Sequence, residues 1–217
     1  MTGVRAVNLY SAHWRECFGE TDAARTQADV MCLRSVLPLP DFRHILDVPC
    51  GHGRHRRALS EHGYEVVGVD NDPAVSPQIL GDLRELDVLP SDFDAVINMW
   101  ASFGYFDPHE NERVLASLAR RLRPGGRLVL DLFNRAFFEG RDGERELRPG
   151  IVERSRTEAG RRHCEIRYGD GHVDTFEWQL YVPDELVALG VAHGLSPILT
   201  AASPDRAAMQ IVLAREP

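Results

Sequence analysis

Four short apolar runs, HILDV, EVVGVD, FDAVINMW and RLVLDLF, recur between residues 44 and 133, with polar or helix-like stretches between them. Runs with so little alternation fit strands buried on both faces. Their alternation with helices makes the class α/β and the sheet mostly parallel. GRHRRALSEHG reads as a helix closed by Gly63. HENERVLASLARRLRPGG sets Val114, Leu115, Leu118 and Leu122 on one stripe before Pro124-Gly125-Gly126 ends it. Nearer the N-terminus, Asp22 can cap a helix running to about Leu37, with Val30, Leu33 and Leu37 inward and Pro38 and Pro40 as the stop.

After Asn134 the pattern changes to polar–apolar alternation. From about Gly150 to Val182 it predicts an inserted antiparallel meander with turns at Gly160 and at Gly169-Asp170-Gly171. PDELVALGVAHG is then a helix, and SPILTA and AAMQIVLA are closing strands. The reading is one domain over 1–217: N-terminal helices (1–40), a core (41–134), the meander (150–182) and a closing helix and strands (183–217). Only eight residues separate Asp70 from Ile79, where a parallel crossover usually takes a dozen or more. The helix there must shrink to a turn, or the next strand must be short and displaced.

Composition narrows the function classes. A chain of 217 residues, 43% hydrophobic, can bury a core without crosslinks. Its net charge of −8 opposes general nucleic-acid binding. All 25 basic residues are arginine, which excludes a phosphate-loop lysine. Cys17, Cys32, Cys50 and Cys164 lie far apart, as reduced thiols of a cytoplasmic protein do. No window predicts a membrane span, and no His/Cys cluster has metal-ligand spacing. His55 and His62 read as packing or surface groups, and Arg54, Arg56 and Arg57 as a solvated face.

The first strand runs into ILDVPCGHGRH, a D-x-x-x-G-x-G turn that opens a helix. Glycines there let a ligand approach the backbone, and the helix start adds free N–H groups. Asp70, ending the second strand, can accept from both ribose hydroxyls of an adenosine compound. A dinucleotide fingerprint needs a third glycine where Arg56 stands, and Asp47 before the turn suits a cationic ligand better than a pyrophosphate.

These residues, with GVDND, GDLREL, FDAVINMWASFGYF and LRPGGRLVLDLFN in that order, resemble class I S-adenosylmethionine-dependent methyltransferases. ARTQADV further resembles a segment of small-molecule enzymes of the glycine N-methyltransferase kind, and LYVPDELVALGVAHGL the helix after the meander in related bacterial enzymes. The resemblance implies a Rossmann-like, seven-stranded, mostly parallel sheet, with a shortened second crossover as a departure. It implies S-adenosylmethionine as cofactor and S-adenosylhomocysteine as product. Carried over, Gly51 and Gly53 line the methionine and ribose, Asp47 sits near the ammonium, and Asp70 with Asn71 holds the ribose. Asp82 and Leu83 read the adenine, Asn98, Met99 and Trp100 close over the sulfonium, Arg25 pairs with the methionine carboxylate and Tyr10 caps that end.

Methyl transfer from a sulfonium is mainly a matter of alignment. A neutral amine needs no base, whereas a hydroxyl does, and no base stands out in this sequence. The ending NMWA lacks the Asn-Pro-Pro-aromatic turn of resembling adenine enzymes. Cys50 precedes the turn and so cannot be the thiolate of cytosine enzymes. Phe103, Tyr105, Asn134, Arg135, Trp178 and Tyr181 are the expected substrate wall, with an N or O atom of a small metabolite as acceptor. A tRNA or protein methyltransferase, and a cofactor-binding regulatory protein without catalysis, stand as alternatives. The sequence does not fix the oligomeric state.

Overall fold

The computed structural model describes residues 11–18 and 23–216, so Tyr10 and Asp22 lie outside the described residues. In chain order come α1 (Ala12–Phe18), α2 (Ala23–Val36), β1 (His44–Asp47), α3 (Arg54–Glu61), β2 (Glu65–Asp70), β3 (Ile79–Leu80), β4 (Phe93–Asn98) and α4 (Pro108–Arg121). They are followed by β5 (Leu122–Phe133), α5 (Arg135–Phe138), β6 (Gly143–Arg148), β7 (Ile151–Glu158), β8 (Arg161–Arg167), β9 (Val173–Gln179), α6 (Pro183–Ala192), β10 (Leu195–Ala201) and β11 (Ala208–Arg215). The main sheet has seven strands in the order β10-β11-β5-β4-β1-β2-β3. It is parallel from β5 through β3, and antiparallel where β11 meets β5 and β10.

The apolar runs divide their side chains between two cores. Leu46, Val96, Leu128 and Leu130 meet Val114, Leu115 and Leu118 of α4 and Leu186 of α6. Their strand neighbours Ile45, Ala95, Ile97 and Val129 meet Val30 and Leu33 of α2 and Ala58 and Leu59 of α3. This is the period of two expected of a strand, with both sides dry. Each fully buried Leu or Ile is worth about 1.5–3 kcal/mol of transfer free energy. Helices therefore cover both faces and leave the carboxyl ends of the strands as the place for a site. No helix among the described residues is long and apolar enough to cross a membrane.

The short crossover is met in both ways open to it. Its helix is one 3-10 turn, Pro73–Val75, whose first amide-bearing residue Ala74 donates to Asp72 Oδ1 at 2.9 Å. Its strand, β3, is a two-residue edge pairing Val69 with Ile79 and Asp70 with Leu80. The Gln78 side chain accepts from Gly68 N at 2.8 Å, filling a ladder position that so short a strand leaves open.

Two boundaries differ from the sequence reading. The meander has four strands, β6-β7-β8-β9, and begins at Gly143 rather than near Gly150. GERELR is exposed at nearly every position, so it shows no alternation to read. At the other boundary α4 stops at Arg121, and Pro124-Gly125-Gly126 falls within the irregular start of β5, where the register against β4 shifts between Phe93 and Ala95.

The meander is fastened to the main domain at Gly104, in the loop after β4. Gly104 O accepts from Gln179 N at 2.7 Å, its φ is +107°, and a Cβ there would stand 2.4 Å from Gln179 O. Gly104→Ala should cost about 2–4 kcal/mol through strain and lost contact. Calorimetry should then show a melting temperature lower by roughly 5–15 °C, and a fall under about 2 °C would refute the fastening.

Candidate active site

The turn from β1 into α3 places two glycines in the left-handed region, Gly51 at φ +50° and Gly53, the N-cap of α3, at φ +70°. A Cβ on Gly51 would meet nothing within 4 Å, so its backbone faces open space. That space is a cavity of about 390 Å³ at the strand ends, walled by the turn, Asp70, Met99, Trp100 and Ser102, with Trp14 and Arg15 of α1 among its lining residues. Asp70 is 4% exposed; its Oδ2 accepts from Gly51 N at 2.8 Å and its Oδ1 from Asp72 N at 3.0 Å. One amide on each oxygen fixes the carboxylate and leaves lone pairs for further donors.

Beside the turn lie buried acceptors with no donor among the described residues. Asp47 is fully buried and both its carboxylate oxygens lack partners. Asn98 is equally buried; its Nδ2 donates to Val48 O at 2.8 Å and its Oδ1 is unmatched. Burial pushes the Asp47 carboxyl up to about 6, against the pull of His55 and Arg54 and with a further push from Asp70. Burial, then the charges of Asp47 and Asp70, drive the Cys50 thiol up to about 12, which makes it inert.

A second acid gathers the basic groups. Asp29 of α2 accepts from Arg25 Nε at 3.0 Å and pairs with Arg54 Nη1 at 2.8 Å and His55 Nε2 at 3.2 Å. Burial works to raise its carboxyl, but the bonds from His55, Arg54 and Arg25 win and hold it at about 2. Arg25 and Asp29 share a helix face at i,i+4. Arg25 is thus engaged by Asp29 and is not among the cavity-lining residues. Arg54 takes the place expected of it: only 18% of its side chain is exposed, its carbon Cζ lies 5.5 Å from the Trp100 ring centroid, and its Nη2 is buried without a partner.

Trp100 and Ala101, directly after β4, both have positive φ, 64° and 56°. Two consecutive non-glycine residues in that region cost on the order of 1–3 kcal/mol each. Across the cavity, Arg15 Nη1 reaches Asp72 Oδ2 at 3.1 Å, and the Trp14 ring meets Trp100 edge-on with centroids 6.4 Å apart. The same helix is latched to the meander: Ser11 Oγ donates to Asp174 Oδ2 at 2.5 Å, and His13 pairs with Asp170 at 2.8 Å and stacks on His172.

Residues 45–126 match a family model described as a methyltransferase domain. Mouse glycine N-methyltransferase is 30% identical over 54% of this chain and 49% of its own length, so the chain spans about half of that curated relative. The sugar N-methyltransferase KedS8 from Streptoalloteichus superposes with a TM-score of 0.71 at 24% identity, covering 100% of this chain and 96% of its own. The CcbJ methyltransferase from Streptomyces caelestis gives 0.74 at 16% identity, over 94% and 96%. Over residues 45–126 the chain is thus similar to methyltransferase domains, and solved methyltransferases share its fold.

The described residues expected at the cofactor fall into two groups. Gly51, Asp70, Met99 and Trp100 line the cavity; Asp47, Gly53 and Asn98 stand in or beside its turn. Asp82 and Leu83 are placed otherwise: Arg84 holds Asp82 through bonds of 2.6 and 2.9 Å, and Leu83 is buried in the core under α4. Asn71 is exposed beside the turn before Pro73–Val75 and does not line the cavity. The arginines read as a solvated face separate, with Arg54 in the cavity wall and Arg56 packed against Gly53 and Gly68. His55 is buried against Asp29, a packing residue that also borders the cavity.

The expected substrate wall is largely a support. Phe103 packs on Tyr181, with centroids 5.6 Å apart, and both are buried. Asn134 caps α5 and donates to Ser203 O at 2.8 Å; Arg135 pairs with Glu139 and Glu185. Trp178 lies edge-on to Phe133 with its indole N–H buried and unmatched. Tyr105 instead borders a larger hollow of about 1210 Å³ against the outer face of β7–β9. None of the residues lining that hollow belongs to the glycine turn. Sequence reasoning missed Trp14, Arg15 and Arg54; the position of Arg54 directly after Gly53 was the one signal available.

Asp47 gives the site a pH signature. Its folded carboxyl titrates at about 6 and its unfolded one near 3.8, so the stability it costs is nearly absent below pH 4, builds between pH 4 and 6, and is complete above that. Asp47→Asn should therefore gain on wild type by about 2–3 kcal/mol between pH 4 and pH 7.5. Urea unfolding at both pH values measures this, and a pH-independent difference would contradict it. Asp29, which titrates near 2, affects both proteins alike.

Proposed function

We propose that this protein binds S-adenosylmethionine in the cavity at the glycine turn and transfers its methyl group to an N or O atom of a small organic metabolite. The observation that carries the reading is a set of polar atoms around one turn that no described residue matches: three acceptor oxygens on Asp47 and Asn98, and one donor on Arg54. Buried polar groups are normally paired. An ammonium and a carboxylate on one carbon, the amino-acid end of S-adenosylmethionine, present the complementary donors and acceptors. Bound there, the sulfonium supplies an electrophilic methyl group.

The rest of the work falls to the chain. Asp70, held by two backbone amides, accepts the ribose hydroxyls. Arg54 clamps the carboxylate, a role the sequence assigned to Arg25. Trp100 and Trp14 wall off water beside the sulfonium, where desolvation speeds displacement from a charged donor. Met99, Trp100 and Ser102 are the cavity groups that follow β4, and none of them is a general base. An amine acceptor reacting in its neutral form needs none, which favours N over O. One structural neighbour, KedS8, is a sugar N-methyltransferase, which points the same way.

Isothermal titration tests the assignment. S-adenosylhomocysteine should bind at micromolar level and NAD should not, with Asp70→Ala weakening binding by about tenfold or more. Arg54→Ala should weaken S-adenosylhomocysteine by about tenfold or more and leave 5′-deoxy-5′-methylthioadenosine, which lacks the amino-acid tail, nearly unchanged. Equal losses for both ligands would remove Arg54 from the carboxylate site, and wild-type preference for NAD would remove the methyltransferase reading.

A further inference from the structure

The Trp100-Ala101 turn is held by one residue of the neighbouring strand. Trp100 N donates to Asp131 Oδ2 at 3.1 Å, and Ala101 N donates to Asp131 O at 2.8 Å. Side chain and main chain of a single β5 residue thus receive the amides of both residues with positive φ. Asp131 is not among the residues that line the cavity, so it reaches the site only through this turn. The turn in turn sets the indole, which is 40% exposed in the cavity wall, between Arg54 and the edge of Trp14.

A left-handed residue other than glycine persists only where its surroundings over-determine it, and such residues gather at functional sites. Here both amides of the turn go to Asp131, that of Trp100 to its carboxylate and that of Ala101 to its carbonyl. Released from Asp131, both residues have lower-energy backbone conformations on the other side of φ, and adopting them would swing the indole off the cavity. A carboxylate is also a stronger acceptor for a backbone amide than a neutral carbonyl. We propose that Asp131 is a positioning residue: it clamps the Trp100-Ala101 turn so that the indole forms the wall beside the reacting methyl group. The link to the methyl group rests on the cofactor reading above; the clamp itself does not.

Fluorine NMR of protein labelled with 5-fluorotryptophan reads the turn directly. The chain has three tryptophans, Trp14, Trp100 and Trp178, and Trp100→Phe assigns the middle one. Without ligand, Asp131→Ala should shift the Trp100 resonance by more than its linewidth or broaden it, and leave Trp178 in place. Asp131→Asn, which keeps an acceptor, should preserve the wild-type resonance. Calorimetry should show S-adenosylhomocysteine bound about tenfold more weakly by Asp131→Ala. Adding Ala101→Gly, which removes the penalty on one positive φ, should recover part of that loss.

A Trp100 resonance unmoved in Asp131→Ala overturns the clamp. A moved resonance with unchanged affinity overturns its functional role. If the wild type binds no S-adenosylhomocysteine, the cofactor reading fails and the NMR comparison still decides the clamp. Should Asp131→Ala not fold, Asp131→Leu fills the same volume without an acceptor and carries the same expectations.

Discussion

A parallel sheet with two dry faces has one place left for chemistry. Helices α2 and α3 on one side and α4 and α6 on the other take up both surfaces of the central strands. The amino ends are closed by the connections arriving from the helices. The carboxyl ends are where the chain turns away, so unpaired amides and strand-end acids collect there. Asp47, Asp70, Asn98 and Asp131 are at or near the ends of β1, β2, β4 and β5. Every feature of the candidate site descends from that arrangement.

Its electrostatics are those of a set with members missing. Asp29 is saturated by three basic groups and ionised far below neutral pH. Asp47, a few residues from the same arginine and histidine, has no hydrogen bond and is pushed the other way. Desolvation acts on both; hydrogen bonding separates them. A carboxylate left so exposed to its own burial energy is a poor structural element and a good receptor for an ammonium group.

Much of this was legible because it rests on local rules. Apolar runs gave the strands, and Gly51, Gly53 and Asp70 gave the turn that opens α3 beside the cavity. The short link after Asp70 had to end in a stunted edge, and it does. What stayed hidden depends on distance in sequence. GERELR has no buried face to betray β6. Arg25 and Arg54 look alike as residues, and only the fold shows that an i,i+4 acid occupies the first while the second keeps a nitrogen free. Phe103 and Tyr181 are aromatic in the right region, yet they face each other rather than the cavity.

Helix α1 touches both the cavity and the meander, through Arg15 to Asp72 and through Ser11 and His13 to Asp174 and Asp170. Trp14 and Arg15 line the cavity, so these contacts tie its wall to the meander. One wall of the cavity is therefore held partly by bonds to residues 170–174, in a hairpin that does not itself line it. A substitution at that hairpin would be felt at the cavity wall, though every side chain that lines the cavity stays in place.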